Sequence, residues 1–405
     1  MSFSRRSFEV RGQENRRLRR FCLVYDVLLP VHLGKDVGLF PLYMGFTCGY
    51  EPCIAYLGCD KNRSFPTQER DASLRLERTR MLFPALPDRF PLTLLQNLLM
   101  LVHVARKAAS IDVLMLFHAK RMSLLFARLY KALNRRGTAW IKLDMDGPRP
   151  VESGRVKISR YVAAADLVSV ESRDLRDRLN THLPDGSRRI EYVPNGFDDL
   201  RHPVDRPAIC RGKENLFITV GRLGTEQKNS ELFLEAIARA KDTEAEFRLI
   251  GPSTEAFRRH FEDFRRTHPL VADRVGLVGE IRDRDRLYEY YARAKCFVLT
   301  SRWESFGLVL VEALAHGDYI LSTDLPASRD IVNGDARIGR IVRQEGADEL
   351  ARCLDDVAAR AVDPEPIFEH SIEYYQSTIC GRLDRRLSEI NIGRRHAAAL
   401  GKGKA

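Results

Sequence analysis

Short apolar runs, each too brief for a buried helix and most followed by a helical pattern, recur along the whole chain. In the first half they are Phe21–Tyr25, Cys53–Leu57, Ile111–Phe117, Ala139–Leu143, Asp166–Val170 and Arg189–Val193, with helical stretches at Phe40–Thr47, Leu92–Ala109 and Met122–Asn134. The second half repeats the rhythm with Leu216–Val220, Phe247–Ile250, Cys296–Leu299 and Tyr319–Asp324. Strands that alternate with helices pair in parallel through crossovers, so the pattern predicts an α/β protein. A chain of 405 residues suits about two to three domains. With 44% hydrophobic residues it can fill their cores. The expected division is 1–20 a basic arm without structure, 21–199 a first α/β domain, 200–213 a linker carrying Pro203 and Pro207, 214–370 a second α/β domain, and 371–405 a C-terminal helix with a basic tail.

The chemistry concentrates in the second half. In Trp303-Glu304-Ser305-Phe306-Gly307-Leu308-Val309-Leu310-Val311-Glu312 two glutamates stand eight positions apart, around the loop that leads from an apolar strand into an apolar helix. A helix starting at Phe306 and Gly307 presents unpaired N–H groups and the positive end of its dipole, which suits an anionic or hydroxyl-rich ligand. Glu312 falls about two turns into that helix, so both carboxylates can face one ligand. One carboxylate accepts two vicinal hydroxyls. An isolated pair reads more readily as a charge capping the helix electrostatically and a solvated face. The setting Leu-Val-Leu-Val-Glu-Ala-Leu-Ala argues against that for Glu312, because a half-buried charge needs a specific partner. Upstream, Leu216–Val220 runs into Gly221-Arg222-Leu223-Gly224-Thr225-Glu226-Gln227-Lys228-Asn229. Ligands of open α/β sheets sit beyond the carboxyl ends of strands. There Arg222 can fork onto two phosphate oxygens while Lys228 serves as a mobile point charge.

Taken together, these segments resemble the C-terminal domain of glycosyltransferase family 4, retaining enzymes of the GT-B fold. The resemblance covers roughly residues 190–345. It is carried by Tyr192-Val193-Pro194-Asn195-Gly196-Phe197-Asp198, the Arg222 and Lys228 loop, Gly251, Val278-Gly279-Glu280-Ile281, the paired glutamates, and Thr323-Asp324 through Asp330-Ile331-Val332. It implies two Rossmann-like domains whose parallel sheets face an interdomain cleft. It further implies that Arg222 and Lys228 hold a donor diphosphate, that Glu312 binds ribose, and that Glu304 with Ser305 and the backbone of Phe306, Gly307 and Leu308 holds the transferred sugar. Gly221 and Ile281 would lie beside the nucleotide. The implied reaction moves a sugar, with retention, from a nucleoside-diphosphate donor to a saccharide or lipid-linked acceptor, without an obligatory metal. Departures from the usual pattern are Ser305, Asp318-Tyr319 and Ala327-Ser328. A sugar-nucleotide epimerase of the same fold, or a binding protein without catalysis, are the alternative readings.

The N-terminal half is less legible. Gly38, on an expected loop from Leu33 to Gly38, reads either as an approach to donor phosphates or as a plain turn glycine. Asp144-Met145-Asp146 has the spacing of a metal–diphosphate pair, but a cationic phosphate loop makes a metal redundant; Asp144 also stands where relatives carry a sugar-contacting His. His118 is a further cleft candidate, though a lone His there is more often a satisfied core or rim residue. The net charge of +11, with basic residues at both ends (Arg5 to Arg20, Arg394 to Lys404), points to adsorption on an anionic membrane surface, and no nucleic-acid motif accompanies it. No run reaches the ~18 apolar residues that span a bilayer. Eight cysteines without paired metal-ligand spacing fit reduced thiols in a cytoplasmic, peripherally membrane-associated protein.

Overall fold

Two all-parallel sheets organise the computed structural model, which describes residues 17–62, 74–80, 92–145, 149–241 and 244–402. The first holds β1 (Arg19–Tyr25), β2 (Tyr50–Tyr56), β3 (Arg75–Arg78), β4 (Val113–Phe117), β5 (Thr138–Lys142), β6 (Leu167–Val170) and β7 (Glu191–Tyr192), in the order β3-β2-β1-β4-β5-β6-β7. The second holds β8 (Glu214–Val220), β9 (Glu246–Ile250), β10 (Val275–Gly279), β11 (Ala294–Leu299), β12 (Tyr319–Thr323) and β13 (Gly339–Val342), in the order β10-β9-β8-β11-β12-β13. Both are Rossmann-like. Each order reverses once, between β1 and β4 and between β8 and β11, and each reversal opens a crevice at the strand carboxyl ends. Helices cover both faces, which is why central strands such as Val-Leu-Met-Leu-Phe of β4 are buried along their whole length.

Several boundaries differ from expectation. The first strand begins at Arg19, inside the segment read as an arm, and Arg20 is held by Glu51 and by Ser110 Oγ. β3 was not foreseen: its Arg-Leu-Glu-Arg has no apolar run, and an edge strand needs none. The expected linker carries a helix, Arg206–Gly212, capped by the Asp205 side chain. Lys213 then docks on buried Asp318, so one departure from the family pattern is a structural ion pair. The final helix, Gln376–Lys402, returns to the first domain. Its Ile379, Cys380, Leu383 and Leu387 pack in one core with Phe21, Tyr43 and Trp140. Burying an aliphatic side chain of this size stabilises by about 1.5–3 kcal/mol. Asp199 caps that helix through the Ser377 N–H and hydroxyl, at 3.0 and 2.6 Å. The two passages between domains are bonded to each other, Phe197 N–H to Tyr374 C=O at 2.8 Å and Gln376 N–H to Phe197 C=O at 2.9 Å. A third tie, Arg173 N–H to Asp330 Oδ2 at 2.6 Å, links the carboxyl end of β6 to the segment after β12. Those ends of the two sheets therefore face each other. All eight cysteines are free. Among the described residues no helix is long and apolar enough to cross a membrane.

Candidate active site

The loops after β8 and β11 are knitted together at the reversal of the second sheet. Arg302 N–H donates to Gln227 C=O at 2.8 Å, Gln227 Nε2 to Trp303 C=O at 3.0 Å, and Thr300 Oγ1 to Lys228 C=O at 3.0 Å. Within this frame Lys228 Nζ is docked on Glu304 Oε1, which also accepts Ser301 Oγ at 2.7 Å. The lysine is therefore not the mobile charge expected: a carboxylate from the neighbouring loop fixes it. Arg222 is exposed and its guanidinium is steadied by Gln227 Oε1 at 2.7 Å. Gly221 lies against the Lys228 stem, and Gly251 crosses so close that a Cβ there would stand 1.9 Å from Gly221 C=O. Only glycine permits that packing of strand ends.

The helix Leu308–Ala315 begins at Gly307 with no side-chain cap; Leu310 N–H turns back to Gly307 C=O at 2.9 Å, which leaves the N–H groups of Leu308 and Val309 at the open start beside Glu304. Ser305 and Leu308 are half-buried at this start, whereas Phe306 is core. Ile281, just after β10, packs at the edge of the same core. Glu312 is 7% exposed, which excludes a solvated face. Its partners are Arg284 Nη1 at 2.5 Å and the Tyr291 hydroxyl at 3.2 Å. The two glutamates thus have separate partners, Lys228 for Glu304 and Arg284 for Glu312. Arg284, whose own pKa is raised by that carboxylate, went unnoticed in the sequence because it sits in a uniformly charged Arg-Asp-Arg-Asp-Arg run.

The first sheet presents a different cluster. His118 and Asp144 follow adjacent strands β4 and β5, and His118 Nδ1 lies 3.3 Å from Asp144 Oδ2. His118 is therefore not the lone histidine the sequence suggested. Both residues hold positive φ, 67° and 43°, a costly conformation for non-glycine residues. Two further non-glycine residues of this kind, Asn229 and Glu345, border the other crevice. Burial works against the Asp144 charge, yet His118, Lys142 and Lys35 hold its pKa below the ordinary value. Burial and Asp144 push Asp36 up to about 6, and burial pushes Glu171 up to about 7. Lys142 is fully buried, donates to Val193 C=O at 2.7 Å, and stands 4.0 Å from Glu171. Gly38 is not on a loop but inside the helix Asp36–Cys48, where a Cβ would meet the Leu33 backbone at 2.4 Å. That approach accounts for the glycine without a ligand. Asp146 lies outside the described residues. Asp144 is engaged by His118, and no group of three or more His, Cys, Asp or Glu able to hold a metal occurs among the described residues.

Residues 214–360, the domain that carries the Lys228, Glu304 and Glu312 loops, match the family model described as glycosyl transferases group 1. That domain belongs to this family. The group 1 domain and the sheets around it are shared with solved structures. Sucrose-phosphate synthase from Thermosynechococcus elongatus matches at TM-score 0.66 and 19% identity over 94% of this chain and 100% of that one. Anabaena HepE in complex with UDP and glucose matches at TM-score 0.65 and 16% identity over 92% and 100%. At such identities the likeness establishes the GT-B fold. Among curated relatives, the lipopolysaccharide core biosynthesis mannosyltransferase LpsB of Rhizobium meliloti (strain 1021) is 28% identical over 215 residues, 48% of this chain and 59% of that protein. The chain spans about half the length of the curated relatives it matches. The resemblance to glycosyltransferase family 4 read from the motifs is upheld.

Proposed function

We propose that the chain is a retaining glycosyltransferase that moves a sugar from a nucleoside diphosphate to a glycan, polysaccharide or lipid-linked acceptor at the cytoplasmic side of a membrane. The observation that carries this reading is the Lys228–Glu304 contact across the β8 and β11 loops, with Arg222 beside it and an open helix start at Leu308. Breaking a sugar–phosphate bond leaves positive character at the anomeric carbon and negative charge on the departing diphosphate. Arg222 and Lys228 meet the second, and Glu304 steadies the first. Groups preorganised in this way are typically worth about 3–4 kcal/mol each, on the order of a hundred- to a thousandfold in rate. Two fixed cations supply what a metal would otherwise supply, so turnover should persist in chelator. Attack from the face of the departing phosphate, which takes the acceptor proton, gives retention. Glu312, oriented by Arg284 and Tyr291, accepts the ribose hydroxyls. LpsB, named for lipopolysaccharide core biosynthesis, favours a surface-glycan or glycolipid acceptor.

The test is a thermal-shift panel of UDP, GDP, ADP, dTDP and CMP, with and without Mg²⁺, on wild type and on Arg222→Ala and Glu312→Ala. A ligand at about a hundred times its Kd adds roughly 2.7 kcal/mol. Stabilisation by one diphosphate, lost in both variants, names the donor; no stabilisation by any of them overturns the reading. Donor that is isomerised with no sugar transferred would instead establish an epimerase.

A further inference from the structure

The helix Leu92–Lys107 is turned inside out for a surface helix. Leu94, Leu95, Leu98 and Val102 are 44%, 47%, 49% and 45% exposed, whereas Gln96 is 1% exposed and Asn97 7%. At 3.6 residues per turn the four apolar side chains share an arc of about 100°. Met100 and Val104, buried with Gln96, lie opposite. Neither polar atom of the Gln96 amide has a hydrogen-bond partner, so the interior does not reward its burial. The rotation is fixed from the flank. Glu77 on β3 takes His103 Nε2 at 2.9 Å, Lys107 Nζ at 2.6 Å and Arg75 Nε at 3.0 Å. A helix that is apolar on two faces needs cover on both, and the described residues supply one.

Charge identifies the other. Between Leu92 and Leu143 Asp112 is the only acidic residue, against nine Lys and Arg. The helix Arg121–Leu133 packs beside Leu92–Lys107, and both sit on one face of the sheet, Met100 and Val104 sharing a core with Phe126 and Ala127. Their outer sides therefore point the same way. On those sides Arg106, Arg121 and Arg128 are exposed and make no ion pair with a described residue, and Leu125 is exposed among them. Of the terminal cations, where the sequence placed membrane adsorption, Arg17 and Arg394 are otherwise occupied, while Arg395 is exposed. Arg17 donates to Ser110 C=O at 2.6 Å, and Arg394 to Gly137 C=O at 3.0 Å with Asp166 at 3.1 Å.

We infer that this face docks on an anionic lipid bilayer, with Leu94, Leu95, Leu98 and Val102 among the acyl chains and Arg106, Arg121 and Arg128 at the headgroups. The inference does not depend on the transferase reading. A second copy of the chain fits poorly. Four half-exposed side chains fall well short of the ~800 Å² per partner of a standard interface. An isologous contact would also bring like charges together. A bilayer requires no shape complementarity and attracts the same cations.

The experiment is co-sedimentation of the full chain with phosphatidylcholine vesicles, with and without phosphatidylglycerol. The variants are Leu95→Gln/Leu98→Gln, Arg106→Gln/Arg128→Gln and a control with Arg5, Arg6, Arg11 and Arg16 changed to Gln. Wild type should bind only the anionic vesicles, and less in high salt. The leucine pair should weaken binding by more than about tenfold and the arginine pair by roughly tenfold, with unchanged melting because all four side chains are exposed. The control should stay within a few-fold. Absence of wild-type binding, or full binding by the leucine pair, overturns the inference. So does self-association in sedimentation velocity that the leucine pair abolishes while vesicle binding is absent, which would assign the face to a second copy.

Discussion

The two crevices are built on the same topology and on opposite electrostatic plans. In the second domain each acid meets a base: Glu304 holds Lys228, and Glu312 holds Arg284. In the first, acids crowd around one buried lysine, and Asp36 and Glu171 are pushed up to about 6 and about 7. One crevice has fixed charge that can settle a permanent anion. The other has groups whose charge changes near neutral pH, which suits hydroxyl-bearing ligands that exchange hydrogen bonds. A sheet reversal thus supplies a place for chemistry, and the residues at its strand ends decide which.

That contrast can be broken most directly at Lys228. Lys228→Ala should cut kcat by about a hundred- to a thousandfold with the fold intact by circular dichroism, and should lower the melting temperature because Glu304 loses its cation. Asp144→Asn should move donor KM less than about tenfold and leave any response to Mg²⁺ as in wild type. Equal losses in steady-state assays would erase the distinction between a charge-fixing and a hydroxyl-handling crevice. Next in size, Arg284→Ala should raise donor KM by roughly tenfold with a smaller change in kcat, since it loses the orientation of Glu312 and no contact specific to the transition state. Arg284→Lys should recover part of it. A purely structural role would lower melting without that split.

The smallest effects have opposite signs in the two domains. Burial lowers the pKa of His316 to about 4, against an ordinary 6.5, while its Nδ1–H donates to Glu312 C=O at 2.7 Å. The unfolded chain binds that proton first, so stability falls as pH drops from 6.5 to about 4, by on the order of 3 kcal/mol. His316→Gln should remove this loss. Glu171 behaves conversely: its ordinary value is 4.5 and its folded value about 7, so stability falls as pH rises between them. Glu171→Gln should therefore gain on wild type above pH 7 and not below 4.5. The gain should be the smaller of the two, because Lys142 then loses the carboxylate 4.0 Å away. Urea denaturation across this range checks both. Curves that shift in the same direction would contradict the assignment.

The legible half of the molecule was the one whose site lies in short segments. Glu304, Lys228 and the helix start were readable because strand, loop and helix succeed one another within a few residues, so local pattern places the side chains. The cluster of Asp36, His118, Asp144, Lys142 and Glu171 spans four segments that only the parallel topology assembles. Its strain lies in backbone angles that no residue type announces. Arg284 escaped for another reason. Charged residues on a helix start look solvated until the partner on another helix, here Glu312, is known. Glu312 did signal a missing partner through its apolar neighbours, but not that partner's identity.

The last helix carries a consequence for biosynthesis. Ile379, Cys380, Leu383 and Leu387 complete the core of the first domain, yet they are translated after the entire second domain. The early lobe must wait on the ribosome with an open apolar face while the later lobe, whose core closes within residues 197–374, can fold first. Synthesis order and maturation order are thus inverted, and a chain stopped short of Gln376 would fail in its oldest part.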